Sequence, residues 1–170
     1  MRLGAVADDV TGACDLAGRV ATAGLPATVF IGVPPAGALV EFGTGAADGC
    51  AVVGLKIRTA PVAEAVRAAT DAAIALLDAG ATLLYQKYCS TFDSTAVGNI
   101  GPVADALARV AGERRGANAP ALTVGTPATP EAGRTQYASV LFVHGTPLAE
   151  SPMRDHPLTP MRDSNLVRLL

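Results

Sequence analysis

Four short stretches of this sequence gather side chains that could do chemistry. The first, ADDVTGACD, sets adjacent carboxylates at Asp8 and Asp9 before Thr11 and Gly12. Such a pair can hold a sugar's hydroxyl groups, organise a cation or supply a general base, and either carboxylate can instead cap the helix that follows. Capping accounts for one of them and not for both. The second stretch, LKIRTAP, carries Lys56 and Arg58; an arginine there offers a planar donor fork suited to a carboxylate, or snorkels at the surface. The third, KYCSTFDSTAVGNIGP, crowds Lys87, Ser90, Thr91, Asp93, Ser94 and Asn99 around Gly98 and Gly101. A strand-to-helix connection needs only about two to six residues and one capping side chain. Its glycines would let backbone N–H groups approach an anion at a helix start, but the spacing is neither G-x-G-x-x-G nor a Walker motif, so a phosphate cradle has no motif behind it. The fourth, PEAGRT, adds Glu131 and Arg134. Cations, carboxylates and hydroxyls in this mixture suit a small anionic polyol, and spacing alone does not name the reaction.

The elements that must position these groups follow from the pattern of apolar residues. LGAVA (Leu3 to Ala7) is a strand-like run that stops at the first cluster, and the helical spacing of CDLAGRVATA ends at Gly24. ATVFIG (Ala27 to Gly32) and CAVVGL (Cys50 to Leu55) read as two more strands, separated by the Gly/Pro-rich PPAGALVEFGTGAADG. Between Pro61 and Ala79 apolar residues step by three and four, which predicts a helix closed by Gly80. TLLYQ (Thr82 to Gln86) is the next strand, a helix runs from Asn99 or Pro102 to Val110, and ALTVG (Ala121 to Gly125) is expected as a fifth strand. After Gly125 a polar, proline-rich loop leads to a hairpin around His144-Gly145, a long irregular run, and a short amphipathic helix in SNLVRLL capped by Asp163 or Ser164. Strands alternating with helices predict an α/β fold, a three-layer α/β/α arrangement with a mostly parallel sheet. In such folds ligands bind beyond the carboxyl ends of the strands, which is where the first three clusters fall.

Composition narrows the classes of partner. At 170 residues the chain fits one domain, with 50% apolar residues, 16% charged residues and a formal charge of −2. Without a run of Lys or Arg, nucleic acid and anionic membrane are poor partners, since both are held by clustered positive charge. No apolar stretch reaches the roughly 18 residues of a membrane span, and Met1-Arg2 leads straight into a strand, so a cytoplasmic protein is expected. Cys14, Cys50 and Cys89 are odd in number and widely spaced, which predicts free, buried thiols rather than disulfides or a zinc site.

In this order the clusters ADDVTGACD, LKIRTAP, KYCSTFDSTAVGNIGPV, PEAGRT and ESPMRDHPLTPMRDSNLVRLL resemble the four-carbon acid sugar kinase family, and most closely its 3-oxo-tetronate kinase branch. The resemblance covers nearly the whole chain, departing from the usual pattern at Gln86 and at Thr129. It implies an ATP-dependent phosphotransferase acting on the terminal hydroxyl of a four-carbon sugar acid and giving, in this branch, 3-oxo-tetronate 4-phosphate. It also implies that residues 1–170 form the N-terminal, sugar-acid-binding domain, with ATP and Mg²⁺ brought by a C-terminal domain that this chain lacks. Carried over by position, Asp8 and Asp9 would hold substrate hydroxyls and one of them would orient or deprotonate the attacking alcohol. Arg58 and Lys87 would face the substrate carboxylate, Asp93, Ser94 and Asn99 would line the pocket, and Arg134 would approach from the PEAGRT loop. No metal ligand is assigned. The partners expected are the sugar acid, the C-terminal domain and, in a homodimer, a second copy. The alternative is a stand-alone sugar-acid-binding module or subunit without its own catalysis.

Overall fold

The computed structural model describes residues 2–35, 37–39, 49–116 and 120–170. Most of the Gly/Pro-rich stretch before β3 lies outside them. Four strands, β1 (Arg2–Ala7), β2 (Ala27–Ile31), β3 (Gly49–Gly54) and β4 (Leu83–Lys87), pair in parallel in the order β2-β3-β1-β4. Side chains alternate across the sheet, as strand geometry requires. Ala5, Ala7, Cys50 and Val52 turn to α1 (Val10–Thr22), where Ala13 and Ala17 meet them. Val6, Ala51 and Val53 turn to the other face, covered by α2 (Val62–Asp78) and α3 (Ile100–Arg114) through Ala65, Ala69, Leu76, Val103 and Leu107. The result is the expected three-layer α/β/α arrangement, and the many alanines let the helices lie close on the sheet.

A second, antiparallel sheet of β5 (Arg134–Tyr137), β6 (Val140–Val143) and β7 (Thr146–Pro147) follows. It buries its own cluster, in which Leu141, Val143, Leu148, Met161 and Leu166 surround Phe92 and Ile100. Phe92 belongs to the connection from β4 to α3 and Ile100 opens α3, so this cluster fastens the second sheet to the polar end of the first. Tyr88 closes it, its ring meeting Phe92 edge-on at 5.8 Å between centroids.

Several expectations change. The stretch Ala121 to Gly125 is not a strand: it has no ladder partner among the described residues, Ala121 donates only to the Ala108 carbonyl of α3 at 2.8 Å, and Leu122 and Val124 are 92% and 88% exposed. Its apolar alternation resembles a strand, but a strand needs a bonded neighbour as well as a pattern. The hairpin around His144-Gly145 forms as β6 and β7, whereas β5 was hidden in what reads as a polar loop. The C-terminal helix is a single turn, α4 (Leu166–Leu169), capped by Asn165 rather than by Asp163 or Ser164; Asn165 Oδ1 accepts from the Val167 and Arg168 amides at 3.1 and 3.2 Å. Of the three free cysteines only Cys50 is buried; Cys14 is exposed and Cys89 is half-buried.

Candidate functional site

The site is built at the carboxyl edge of β1, β3 and β4, where the ladder carries on past the strands. Asp8 N–H donates to the Lys87 carbonyl at 3.0 Å, and the Asp8 carbonyl accepts from Ile57 N–H at 3.0 Å. These two bonds hold the residues after all three strands side by side and bring Asp8 against Arg58 and the loop after Lys87.

Asp8 and Asp9 then divide the roles that the sequence left open. Asp9 caps α1: its Oδ1 accepts from Gly12 N–H at 2.7 Å. A Cβ at residue 12 would stand 2.7 Å from that oxygen and 3.3 Å from Lys87 Nζ, so a side chain there would push the capping carboxylate aside. Asp8 caps nothing and turns to Arg58, which donates to it from Nε at 2.8 Å and from Nη2 at 3.1 Å. Arg58 Nη2 also lies 3.1 Å from Asp9 Oδ2, and Nη1 donates to Asp93 Oδ2 at 3.4 Å. Three carboxylates thus converge on one guanidinium. Burial pushes the Asp8 carboxyl up from the ordinary range, against the opposing pull of Arg58.

Asp93 reaches Arg58 because the chain before it is bent into an unusual shape. Phe92 and Asp93 have φ of 67° and 44°, the left-handed region that residues with side chains rarely enter. Two interactions hold the bend: the Asp93 amide donates to the Thr91 carbonyl at 2.8 Å, and Thr91 Oγ1 donates to Asp93 Oδ1 at 2.7 Å. Phe92 drives one way into the second core, 1% exposed, while Asp93 is thrown the other way. Cys89 Sγ lies 3.1 Å from Thr91 Oγ1 and extends the chain of contacts, and burial raises its thiol pKa. In the sequence Thr91 reads as one of the polar groups crowding this stretch and Cys89 as a free thiol, neither with an assigned role; a hydroxyl two positions from an acidic residue is the available signal.

Asn99 and Ser94 complete one wall. Asn99 Nδ2 donates to the carbonyls of Ile57 at 2.6 Å, Ala60 at 2.9 Å and Arg58 at 3.3 Å, which pins the loop carrying Arg58 to the start of α3. Its Oδ1 is buried with no hydrogen-bond partner among the described residues. Ser94 Oγ lies so close under Gly98 that a Cβ there would fall 1.9 Å away. Gln86, a departure in the sequence pattern, donates to the Ile100 carbonyl at 3.1 Å. The cleft has a volume of about 330 Å³ counting the space open to solvent, with Val6, Ile57, Ile100 and Val103 as its apolar lining and Asp8, Arg58, Gln86, Asp93, Ser94 and Asn99 as its polar one.

Two expected residues stand apart. Lys87 is not in the lining; its Nζ donates to the Tyr88 carbonyl at 3.0 Å and is 4.0 Å from Asp15 Oδ2 on the α1 side of the sheet. Arg134 donates to the Ala132 carbonyl of its own loop, has a buried Nε without a partner among the described residues, and is not in the lining either. The closeness of three carboxylates raises the question of a cation. All three are turned onto Arg58, and among the described residues no group of three or more His, Cys, Asp or Glu side chains is arranged to hold a metal ion.

Residues 3–170 match the model of the family described as sugar-binding N-terminal domain. The chain belongs to that family. The chain is 51% identical over its full length to a 3-oxo-tetronate kinase of Methylobacterium radiotolerans, of which it covers 37%, and 46% identical over its full length to the 3-oxo-tetronate kinase of Escherichia coli, of which it covers 40%. The chain therefore spans about two fifths of the length of these curated relatives. Among solved structures, a Haemophilus influenzae protein is 44% identical with a TM-score of 0.84, the match covering 98% of this chain and 37% of that one. A Bordetella bronchiseptica protein, solved as a domain-swapped dimer with bound citrate, is 29% identical with a TM-score of 0.75, covering 97% and 39%.

Proposed function

We propose that this chain is the substrate-binding half of a kinase that phosphorylates the terminal hydroxyl of a four-carbon sugar acid, with 3-oxo-tetronate as the substrate and 3-oxo-tetronate 4-phosphate as the product. The observation that carries the reading is the match of residues 3–170 to a sugar-binding domain, joined to 51% identity, over the whole of this chain and 37% of the relative, with a protein named for that reaction. The geometry agrees in kind: a cleft with two carboxylates, a hydroxyl and two amides at the carboxyl edge of a parallel sheet suits a small polyol.

Within this reading Asp8 is the residue that orients the attacking hydroxyl and takes its proton, since it lines the cleft while Asp9 does not and is occupied as a cap. Asp9 keeps α1 and Arg58 in place. Arg58 acts by holding three carboxylates in register, because its donors are already directed at Asp8, Asp9 and Asp93. Asp93, Ser94 and Asn99 meet hydroxyl groups, Lys87 faces the substrate carboxylate from outside the cleft, and Arg134 approaches only from its own loop. A nucleotide with Mg²⁺, held by a C-terminal domain, supplies the phosphoryl group when bound. Among the described residues no cluster of carboxylates is arranged to hold that metal by itself, and phosphoryl transfer asks of Asp8, Asp9 and Asp93 positioning rather than nucleophilic chemistry. A homodimer belongs to the same reading, supported by the Bordetella relative's dimeric form.

Titration calorimetry of the chain with threonate, erythronate and 3-oxo-tetronate tests the proposal. Binding strongest for 3-oxo-tetronate is expected, with no phosphoryl transfer from ATP by this chain alone. Absence of heat with all three acids overturns it.

A further inference from the structure

We propose that the cleft reads the hydroxyl groups of its ligand and leaves the carboxylate outside, with the unpartnered Asn99 Oδ1 as the acceptor that selects for a hydroxyl at one particular carbon. The inference rests on the sugar-acid reading above and assigns which end of the molecule enters.

It follows from an inventory of donors and acceptors. The arginine and amide groups of the lining already donate to the protein, and the Ser94 hydroxyl is the donor left over. Arg58 donates to Asp8 and Asp93 and pairs with Asp9. Gln86 Nε2 donates to the Ile100 carbonyl, and Asn99 Nδ2 to three carbonyls at once. What remains unspent consists chiefly of acceptors: lone pairs on Asp8 and Asp93, the amide oxygen of Gln86, and Asn99 Oδ1. The orientation of Asn99 is fixed by its surroundings, because turning the amide over would press its oxygen against three carbonyl oxygens. Its Oδ1 is therefore an acceptor in fact, in a residue only 7% exposed, and among the described residues nothing donates to it. A buried acceptor without a donor is costly, and native structures keep such atoms where a ligand or water completes them.

Charge points the same way. Three carboxylates face a single guanidinium in the cluster, and the next cation, Lys87, lies outside the lining. A second anion inside the cleft would meet like charge at close range, whereas hydroxyl protons meet acceptors on several sides. A pocket whose polar groups are left unpaired by a missing hydroxyl rejects the deoxy analogue more strongly than any apolar contact could.

The test is calorimetry on the full chain with three kinds of ligand: erythronate and threonate, the neutral tetritols erythritol and threitol, and the 2-deoxy and 3-deoxy acids. Each tetritol is expected to bind within about tenfold of the acid of the same configuration, and at least one deoxy acid to bind tenfold or more weaker than its parent. Tetritols more than tenfold weaker than their acids, or deoxy acids all as tight as their parents, overturn the inference while sugar-acid binding stands. No heat from any of these ligands or from 3-oxo-tetronate removes the sugar-acid reading and this inference together.

Discussion

Arg58 grips Asp8 with two hydrogen bonds, Nε to Oδ2 at 2.8 Å and Nη2 to Oδ1 at 3.1 Å, and the same guanidinium holds Asp9 and Asp93. The fork geometry, rather than the positive charge alone, is what lets one side chain serve three carboxylates.

Replacing Arg58 by alanine leaves three neighbouring carboxylates without a counter-ion. The variant should lose about 3 kcal/mol or more of stability, read as a lowered midpoint in urea unfolding at neutral pH. Arg58→Lys restores the charge and not the fork, so it should recover only part of the loss. Equal stability of all three proteins would show that the carboxylates do not depend on Arg58.

Asp8→Asn acts in the opposite sense. Burial raises the Asp8 pKa, so the folded chain holds a proton there more tightly than the unfolded chain. By linkage its ionised form weakens the fold at neutral pH, and that cost is relieved as the pH falls through the raised value. The neutral variant keeps Asp9 and Asp93 on Arg58. It should match or exceed the parent in stability, by about 1 kcal/mol in thermal unfolding at pH 7, while sugar-acid binding is lost. A large loss of stability would mean that the Asp8 to Arg58 pair outweighs the burial of the charge.

Gly98 has no room for a side chain, since its added Cβ would sit 1.9 Å from Ser94 Oγ. Gly98→Ala should cost about 1–3 kcal/mol through displacement of Ser94. The double variant Gly98→Ala with Ser94→Gly should regain only part of that stability and none of the binding, because the Thr95 carbonyl oxygen and amide nitrogen still lie 2.9 and 3.0 Å from the added Cβ. Failure of the second change to rescue would place the strain elsewhere.

Asp163 and Arg168 pair at the surface, and that pairing, with amide donors, lowers the Asp163 pKa to about 2. A depressed carboxylate stabilises the fold above its ordinary value of 3.8 and loses that contribution as the pH falls towards 2. Carboxyl titration followed by NMR should show this midpoint, and Arg168→Gln should move it up. Stability at pH 7 should change little, because the pair is exposed.

The parallel sheet was legible because β1, β3 and their helices carry the apolar patterns of a fold covered on both faces. The polar clusters were legible because Asp8, Arg58 and Asp93 exceed what caps and turns require. Other features left no such trace. The turn between β5 and β6 takes positive φ at Ala138 and Ser139, without the glycine or asparagine that usually marks it, so β5 read as loop. The segment Ala121 to Gly125 has strand periodicity without a partner, and periodicity does not report partners. Arg58 looked like a ligand for a substrate carboxylate because its type and place allow that; only the three-dimensional meeting of residues 8, 9 and 93 reveals how its donors are used.

The bend at Phe92 and Asp93 ties a chemical group to a mechanical one. Phe92 is seated among Leu141, Leu148 and Met161, whereas Asp8 and Arg58 are seated at the edge of the first sheet. The acidic cluster therefore closes across a joint between two separately packed bodies of protein, like a latch whose bolt is mounted on one panel and its keeper on the other. Loosening the second sheet would withdraw Asp93 from Arg58 and leave Asp8 in place, so the shape of the cleft records whether the two cores are in register.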